Sequence, residues 1–395
     1  MSNYNIGLSG LTVAQRALDL TGTNIANAAT PGYHRQELQI APVDLGASSS
    51  YYGIAGAEVT GLRRIMDRLL EGQMVRQQSN LGAQDQKLSV LQTVENALGT
   101  VGSGSDLGSA IGSFFQALNQ LPSQPDSTPL QEQVIWAADS MASQFRNLAN
   151  FLADTQKQLL VQAQTVVDQI NAQAAQVAKA NVEVGNAAKV GSANSIVQDN
   201  RDQAINSMSE LIGVEATDDP NNPGVRNVAI GGTLLVLRGK SATLEAGTTG
   251  DGQIGISVNG AGNWTTELSG GKLGAILELA NQILPEITGK LNALASQVIS
   301  GINQVHAQGV GASGSFSELA GVGVAGGEID GWNAGVTQGS FYLRVINQAT
   351  GEITRHKIDV DPTVDTADTI SAKIAQIDHL SSSVVDSALH IQADH

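Results

Sequence analysis

The sequence predicts a mainly α, elongated multi-domain protein. Long antiparallel helices form a bundle or coiled-coil arm, accompanied by small β-rich segments and an incomplete α+β outer domain. Three observations carry this reading. From Pro129 to Val184 no further Pro or Gly interrupts a 4/3 apolar spacing. A helix of roughly 55 residues would span about 80 Å, far beyond an ordinary globular helix. Aromatic residues make up only 4% of the chain, so aromatic-filled pockets are few. Residues 225–268 and the chain from Gly309 onward instead show alternation and Gly pairs, the signature of short strands and turns.

Taken in order, residues 4–26 read as an amphipathic helix with Tyr4, Leu8, Leu11, Leu18 and Ile25 on one stripe. Gln15 and Gly22 interrupt the stripe, and Thr30-Pro31-Gly32 ends the helix. Residues 33–60 look extended and loop-like. A second helix is expected from about Arg63 to Leu98, with Ile65, Leu69, Leu81, Leu88, Leu91 and Leu98 near one face. After the "GTVGSGSD" linker, a short helix carries Leu107, Ile111, Phe114, Leu118 and Leu121.

Thr128-Pro129-Leu130-Gln131 starts the long helix, with a Thr cap, Pro at the first position and Gln three residues on. Its stripe runs through Val134, Ala138, Met141, Phe145, Leu148, Leu152, Thr155, Leu159, Gln162 and Val166, then slips one residue to Ile170, Val177 and Val184. A helix over 199–211 runs into a strand, and several short strands follow within 225–268. Gly271 opens another long helix to about His306, which Pro285 should kink or divide. Residues 341–346 and 353–360 form a hairpin pattern, 366–380 a helix and 384–393 a strand. The expected domains are an association helix with its extended segment (1–62), a long-helix bundle with inserted strands (63–308) and a β-rich or α+β outer domain (309–395). The last is expected to be cut off in mid-sheet at His395.

The formal net charge of −16 disfavours nucleic acid and anionic membrane as partners. With no cysteine, disulfides and thiolate metal sites are excluded. The N-terminal "MSNYNIGLSGLTVAQRALDL" has no basic region and no unbroken apolar run, so no cleaved secretory signal is expected.

Catalytic signatures are missing from the sequence. The histidines His34, His306, His356, His379, His390 and His395 form no metal-ligand spacing and read as surface residues. Gly239-Lys240-Ser241 resembles the end of a phosphate loop, but Leu234 stands where that motif needs Gly. The loop from Asp218 to Gly224 has oxygen ligands enough for weak Ca²⁺ binding, although a solvated turn explains it better. No catalytic, cofactor or metal residue is assigned, and an enzyme is not expected.

The N-terminal stripe asks for another explanation. Ordering about twenty residues costs on the order of 1–2 kcal/mol each, while burying four large aliphatic side chains returns roughly 1.5–3 kcal/mol each. The helix therefore needs a partner surface, in this chain or a neighbour, and Leu8, Leu11, Leu18 and Ile25 are the candidate assembly interface.

The stretch "LSGLTVAQRALDLTGTNIANAATPGYHRQ" resembles the N-terminal motif of the bacterial flagellar axial proteins, the rod, hook and hook-associated proteins. The matching residues include Ser9, Gly10, Leu11, Gln15, Leu18, Asn24, Ile25, Ala26, Asn27, Thr30, Gly32, Tyr33 and Arg35. "DNRDQAINSMSELIGVE" (199–215) and "LSGGKLGAILELANQILPEITGKLNALA" (268–295) are similar to hook-associated members, and the resemblance covers roughly residues 1–308. It implies a non-enzymatic subunit exported unfolded through a type III apparatus, with help from an export chaperone. The subunit would stand outside the cell in the flagellum, in a ring of its own copies. Hook protein would lie on one side, and the next hook-associated protein or the filament on the other. The N-terminal helix would pack with a C-terminal helix of the same chain, and Asn24, Asn27, Thr30, Pro31, Gly32 and Tyr33 would form the motif and hinge behind it. A hook or rod subunit, and a secreted binding module or adhesin acting through the outer domain, are the alternative readings.

Overall fold

The computed structural model describes residues 3–44, 54–99, 106–189, 194–306, 316–321 and 338–394. They divide into two compact units, Met1–Val298 and Ile299–His395. The fold is mainly helical with small antiparallel sheets, as the sequence predicts.

In the first unit, helix α1 (Asn3–Ala26) leads into an antiparallel hairpin of β1 (Gln36–Asp44) and β2 (Ile54–Arg64). The segment expected to be loop-like is therefore sheet on both sides of residues 45–53, which lie outside the described residues. Helix α2 (Arg68–Leu98) starts later than expected, because β2 runs to Arg64 and Asp67 then caps the helix. The Asp67 carboxylate accepts from the backbone N–H groups of Leu69 and Leu70.

The buried face of α2 is Val75, Ser79, Gly82, Ala83, Val90 and Val94, so Leu69, Leu81, Leu88, Leu91 and Leu98 lie exposed. Close approach decides this. A Cβ at Gly82 would overlap the Glu210 carbonyl, and only small side chains fit there.

Helix α3 (Leu107–Gln120) buries Phe114 and Ala117. The long helix α4 spans Thr128–Lys189, 62 residues, or about 90 Å at 1.5 Å per residue. It buries Met141, Leu148, Leu152, Thr155, Leu159 and Val166, as the spacing predicts. The slip falls at Ala163, which is fully buried, while Gln162 faces outward. Beyond it Ile170, Ala174, Val177, Asn181 and Val184 continue the buried face. Helix α5 (Ser195–Leu211) closes the bundle.

Five short strands follow: β3 (Glu215–Asp218), β4 (Arg226–Ile230), β5 (Thr233–Leu237) and β6 (Lys240–Ser241) in one sheet, then β7 (Leu244–Thr248). Strand β8 (Ile254–Val258) pairs with β7. Helix α6 (Gly271–Glu278) passes through a π turn at Leu279–Ile283 into α7 (Leu284–His306). The disturbance expected at Pro285 thus appears one turn earlier, where the wider turn absorbs the proline's missing donor.

One device docks strands onto helices four times. A helix-borne Asn side chain pairs with both the N–H and the C=O of a single residue. Asn24 does so with Gln36, Asn171 with Leu244, Asn181 with Arg226 and Asn281 with Ile254, at 2.6–3.0 Å. The amide copies the donor and acceptor of a neighbouring strand, so backbone groups that no strand reaches are still satisfied.

In the second unit, β10 (Gly339–Ile346) pairs with β11 (Ile353–Val360) as expected. Strand β9 (Glu318–Ala320) belongs to a separate three-stranded sheet. Helix α8 is shorter than expected, Ala367–Ile374. The single strand expected over 384–393 is a hairpin, β12 (Leu380–Val385) and β13 (Ala388–Ala393). Its turn is Asp386-Ser387, both at positive φ (50° and 62°), a tight turn made without the usual glycine. Ile358, Ile370, Ile374 and Ile377 form the core.

Candidate assembly interface

Helix α1 has two faces with different partners. Ser9, Val13, Ala17, Leu20 and Asn24 are half-buried and recur at helical spacing. Along that face the Ser9 hydroxyl donates to the Ile6 carbonyl and accepts from the Ala57 N–H of β2. A Cβ at Gly56 would overlap the Ser9 hydroxyl, so strand and helix meet closely. The hairpin thus covers one face of the helix, the face opposite the stripe of Leu8, Leu11, Leu18 and Ile25.

The larger apolar residues point the other way. Leu8, Leu11, Leu18 and Ile25 are 50%, 66%, 72% and 72% exposed, and Tyr4 lies with them. A second stripe runs along α2 through Leu70, Met74, Leu81, Leu88, Leu91 and Leu98, all exposed at 4/3 spacing. Such continuous apolar faces mark interaction surfaces.

Asn24 ties the corner behind α1. Besides its pair with Gln36, its side-chain oxygen accepts from the Tyr33 hydroxyl at 2.8 Å. Asn27 donates through its amide to the Thr23 carbonyl, and the Thr30 N–H donates to the Asn27 carbonyl. Pro31 follows, and Gly32 turns at φ 80°. A Cβ at Gly32 would lie 3.7 Å from Gln203 of α5. All six motif residues thus sit in one corner between α1 and β1.

Beyond the corner lies an ionic cluster that sequence patterning missed. Arg64 at the end of β2 bonds Asp199 at 2.5 Å and Asp202 at 2.7 Å, both on α5. His34, expected at the surface, is half-buried with Nδ1 2.8 Å from the same Asp199 oxygen. Arg201 bonds Asp202 at 2.9 Å and also donates to the Gly224 carbonyl. Arg226 bridges Asp202 and Glu71, and Arg68 pairs with Asp218. Burial raises the Asp202 carboxyl, yet the surrounding Arg201, Arg64 and Arg226 outweigh it and hold the group below its usual range. Arg201 is itself lowered by burial, against the pull of Asp202. Arg201 and Asp202 fall within the 199–215 motif and bond each other, but their other partners, Arg64, Gly224 and Arg226, lie outside it.

The Asp218–Gly224 loop offers little to a cation. One Asp219 oxygen accepts from the Asn221 N–H and the Asn222 amide, and the other from Arg238 at 2.8 Å. The Arg238 hydrogen bond, then that of Asn222, holds this carboxyl well below the ordinary carboxylate range. Among the described residues no group of three or more His, Asp or Glu is placed to hold a metal ion. No helix among them is long and apolar enough to cross a membrane.

Comparison with known proteins agrees with this architecture. Residues 91–319 match the flagellar hook-associated protein FlgK helical domain, and residues 5–34 match the flagella basal body rod protein family. The chain is 27% identical over 328 residues to flagellar hook-associated protein 1 of Escherichia coli (strain K12), covering 80% of this chain and 59% of that relative. With the protein of the same name from Bacillus subtilis (strain 168) it shares 24% identity over 339 residues, 77% of this chain and 66% of the relative. A solved structure, the flagellar hook junction protein FlgK from Burkholderia pseudomallei, shares the fold with a TM-score of 0.57 at 19% identity, over 82% of this chain and 60% of that one. The chain thus spans about three-fifths of the length of the E. coli relative.

Proposed function

The chain belongs to the flagellar hook-associated protein FlgK helical-domain family, and from that premise we propose that it is a structural subunit joining hook to filament in the bacterial flagellum. Its role is mechanical. Copies of the chain assemble in a ring after type III export, with hook protein on one side and the next hook-associated protein or filament on the other. An export chaperone accompanies it beforehand.

The exposed stripe of Leu8, Leu11, Leu18 and Ile25 carries this reading. A helix with one face tied to its own hairpin, and with Leu8, Leu11, Leu18 and Ile25 facing outward, is suited to packing in an assembly. Covering what these four side chains now expose is worth on the order of 5 kcal/mol per subunit. That is enough to drive association when repeated around a ring. The α2 stripe offers a second face of the same kind. Asn24, Asn27, Thr30, Pro31, Gly32 and Tyr33 hold α1 at a set angle to the hairpin behind it.

The test is complementation of a strain lacking its own junction protein. The intact gene product restores filament attachment and motility, whereas Leu11→Asp combined with Leu18→Asp does not. Motility with the double variant would refute the assembly role of the stripe. Labelling resolves position: a thin band at the distal end of the hook is expected, and staining along the whole hook would favour a hook subunit instead.

A further inference from the structure

We propose that α1 and the β1–β2 hairpin form one arm carried on an ionic pivot, in which Arg64 and His34 clamp the arm to Asp199 and Asp202 of α5. Releasing the clamp lets the arm swing about residues 65–67 without opening the helical core.

The arm is tied within itself. Asn24 holds Gln36 and Tyr33, and Ser9 holds Ala57, so helix, corner and hairpin move together. Asn24 ties the corner at Pro31 and Gly32 to Gln36 and Tyr33, so the corner travels with the arm. Residues 65–67, between β2 and α2, are in neither strand nor helix. The Ile65 N–H still donates to the Arg35 carbonyl and Asp67 caps α2, so the chain passes from arm to body at Met66.

Across this joint the attachment is polar. The large core cluster runs from Val75 to Leu291 and includes no residue of the arm. Leu8, Leu11 and Leu18 face outward, so the main core cluster does not hold the arm. What binds the arm is the fork of Arg64, 8% exposed, reaching Asp199 and Asp202, with His34 beside it. Such a joint behaves differently from a packed one. Apolar contact yields gradually as surfaces slide, whereas a half-buried bidentate pair is held tightly in one geometry and loses most of its energy once separated. Asp202 keeps Arg201 and Arg226 when Arg64 leaves, whereas Asp199 gives up both Arg64 and His34, so the cost of release falls on Asp199. That arrangement permits two arm positions over one unchanged body.

The chain contains no cysteine, so spin labels can be placed without background. Asp19→Cys on α1 and Gln92→Cys on α2, both exposed, report the arm-to-body distance in the full chain by pulsed electron resonance. The parent is expected to give one narrow distribution. Arg64→Met broadens it by about twofold or more, while the helical circular dichroism and melting of the body are unchanged. Arg64→Lys, which keeps the charge but loses the fork, gives an intermediate width, and Asp199→Asn does the same by sparing the bond to Asp202. An unchanged width in Arg64→Met would overturn the pivot. Loss of the helical signal in that variant would overturn it equally, because it would make the clamp part of the core's own stability.

Discussion

Asn181 carries the sharpest prediction about what holds the helical unit together. It sits on α4 with 2% of its surface exposed, among residues that are otherwise Ala and Val. Its amide nitrogen donates to the carbonyls of Arg226 at 2.6 Å and Arg238 at 2.8 Å, and its oxygen accepts from the Arg226 N–H at 3.0 Å. Replacing it with Ala removes three hydrogen bonds, each worth about 1 kcal/mol net, and leaves three backbone groups short of a partner. The expected loss is about 3–4 kcal/mol. With a urea slope of roughly 3 kcal/mol per molar, the midpoint falls by about 1 M at unchanged slope. Asn181→Asp is nearly isosteric but sets a carboxylate oxygen against two carbonyl oxygens, so at pH 7 it should cost at least as much as Ala. Urea unfolding followed by circular dichroism at 222 nm measures both. A shift below about 0.2 M for Asn181→Ala, or an Asp variant as stable as the parent, would refute the idea that the amide stands in for a strand.

Other perturbations follow from the same contacts. Gly82→Ala gains helix propensity but places a Cβ on the Glu210 carbonyl, so a net loss of about 1–3 kcal/mol is expected in denaturant unfolding. Leu159→Ala empties a 1% exposed site in the main core and should cost about 2–5 kcal/mol, whereas Leu18→Ala on the exposed stripe should leave the melting of the single chain nearly unchanged. In the second unit, the Asp361 backbone N–H and then Lys373 hold the Asp365 carboxyl down at about 2. A carboxyl depressed below its unfolded value of about 3.9 adds stability that is complete above that value and is lost as pH falls toward 2. Hydrogen-exchange protection within 338–394, measured relative to the intrinsic rate at each pH, should therefore fall between about pH 4 and 2, and Asp365→Asn should flatten that response.

The amino-acid order by itself determined the helical character, the long uninterrupted α4, the break after α1, the β10–β11 hairpin and the motifs that mark the family. These are local properties. Periodicity, a proline or a cap acts over a few residues and needs no knowledge of what lies across the fold. Tertiary structure decided which stripes are covered. The stripe leucines of α1 and α2 have the same 4/3 spacing as the buried face of α4, yet they face outward, because the close backbone approach at Ser9 and Gly82 sets which face of each helix lies inward. It also decided the ionic cluster, where Arg64 and Asp199 meet from 135 positions apart. The four Asn clamps belong here as well. An Asn inside a helix reads as a weak helix former, and only the strand arriving opposite makes it a docking residue. Turn chemistry at Asp386-Ser387 was hidden for a related reason: without glycine, the left-handed backbone is imposed by the pairing of β12 with β13. Spacing reveals that a face exists, and the distance to a neighbouring backbone settles whether that face is core or surface.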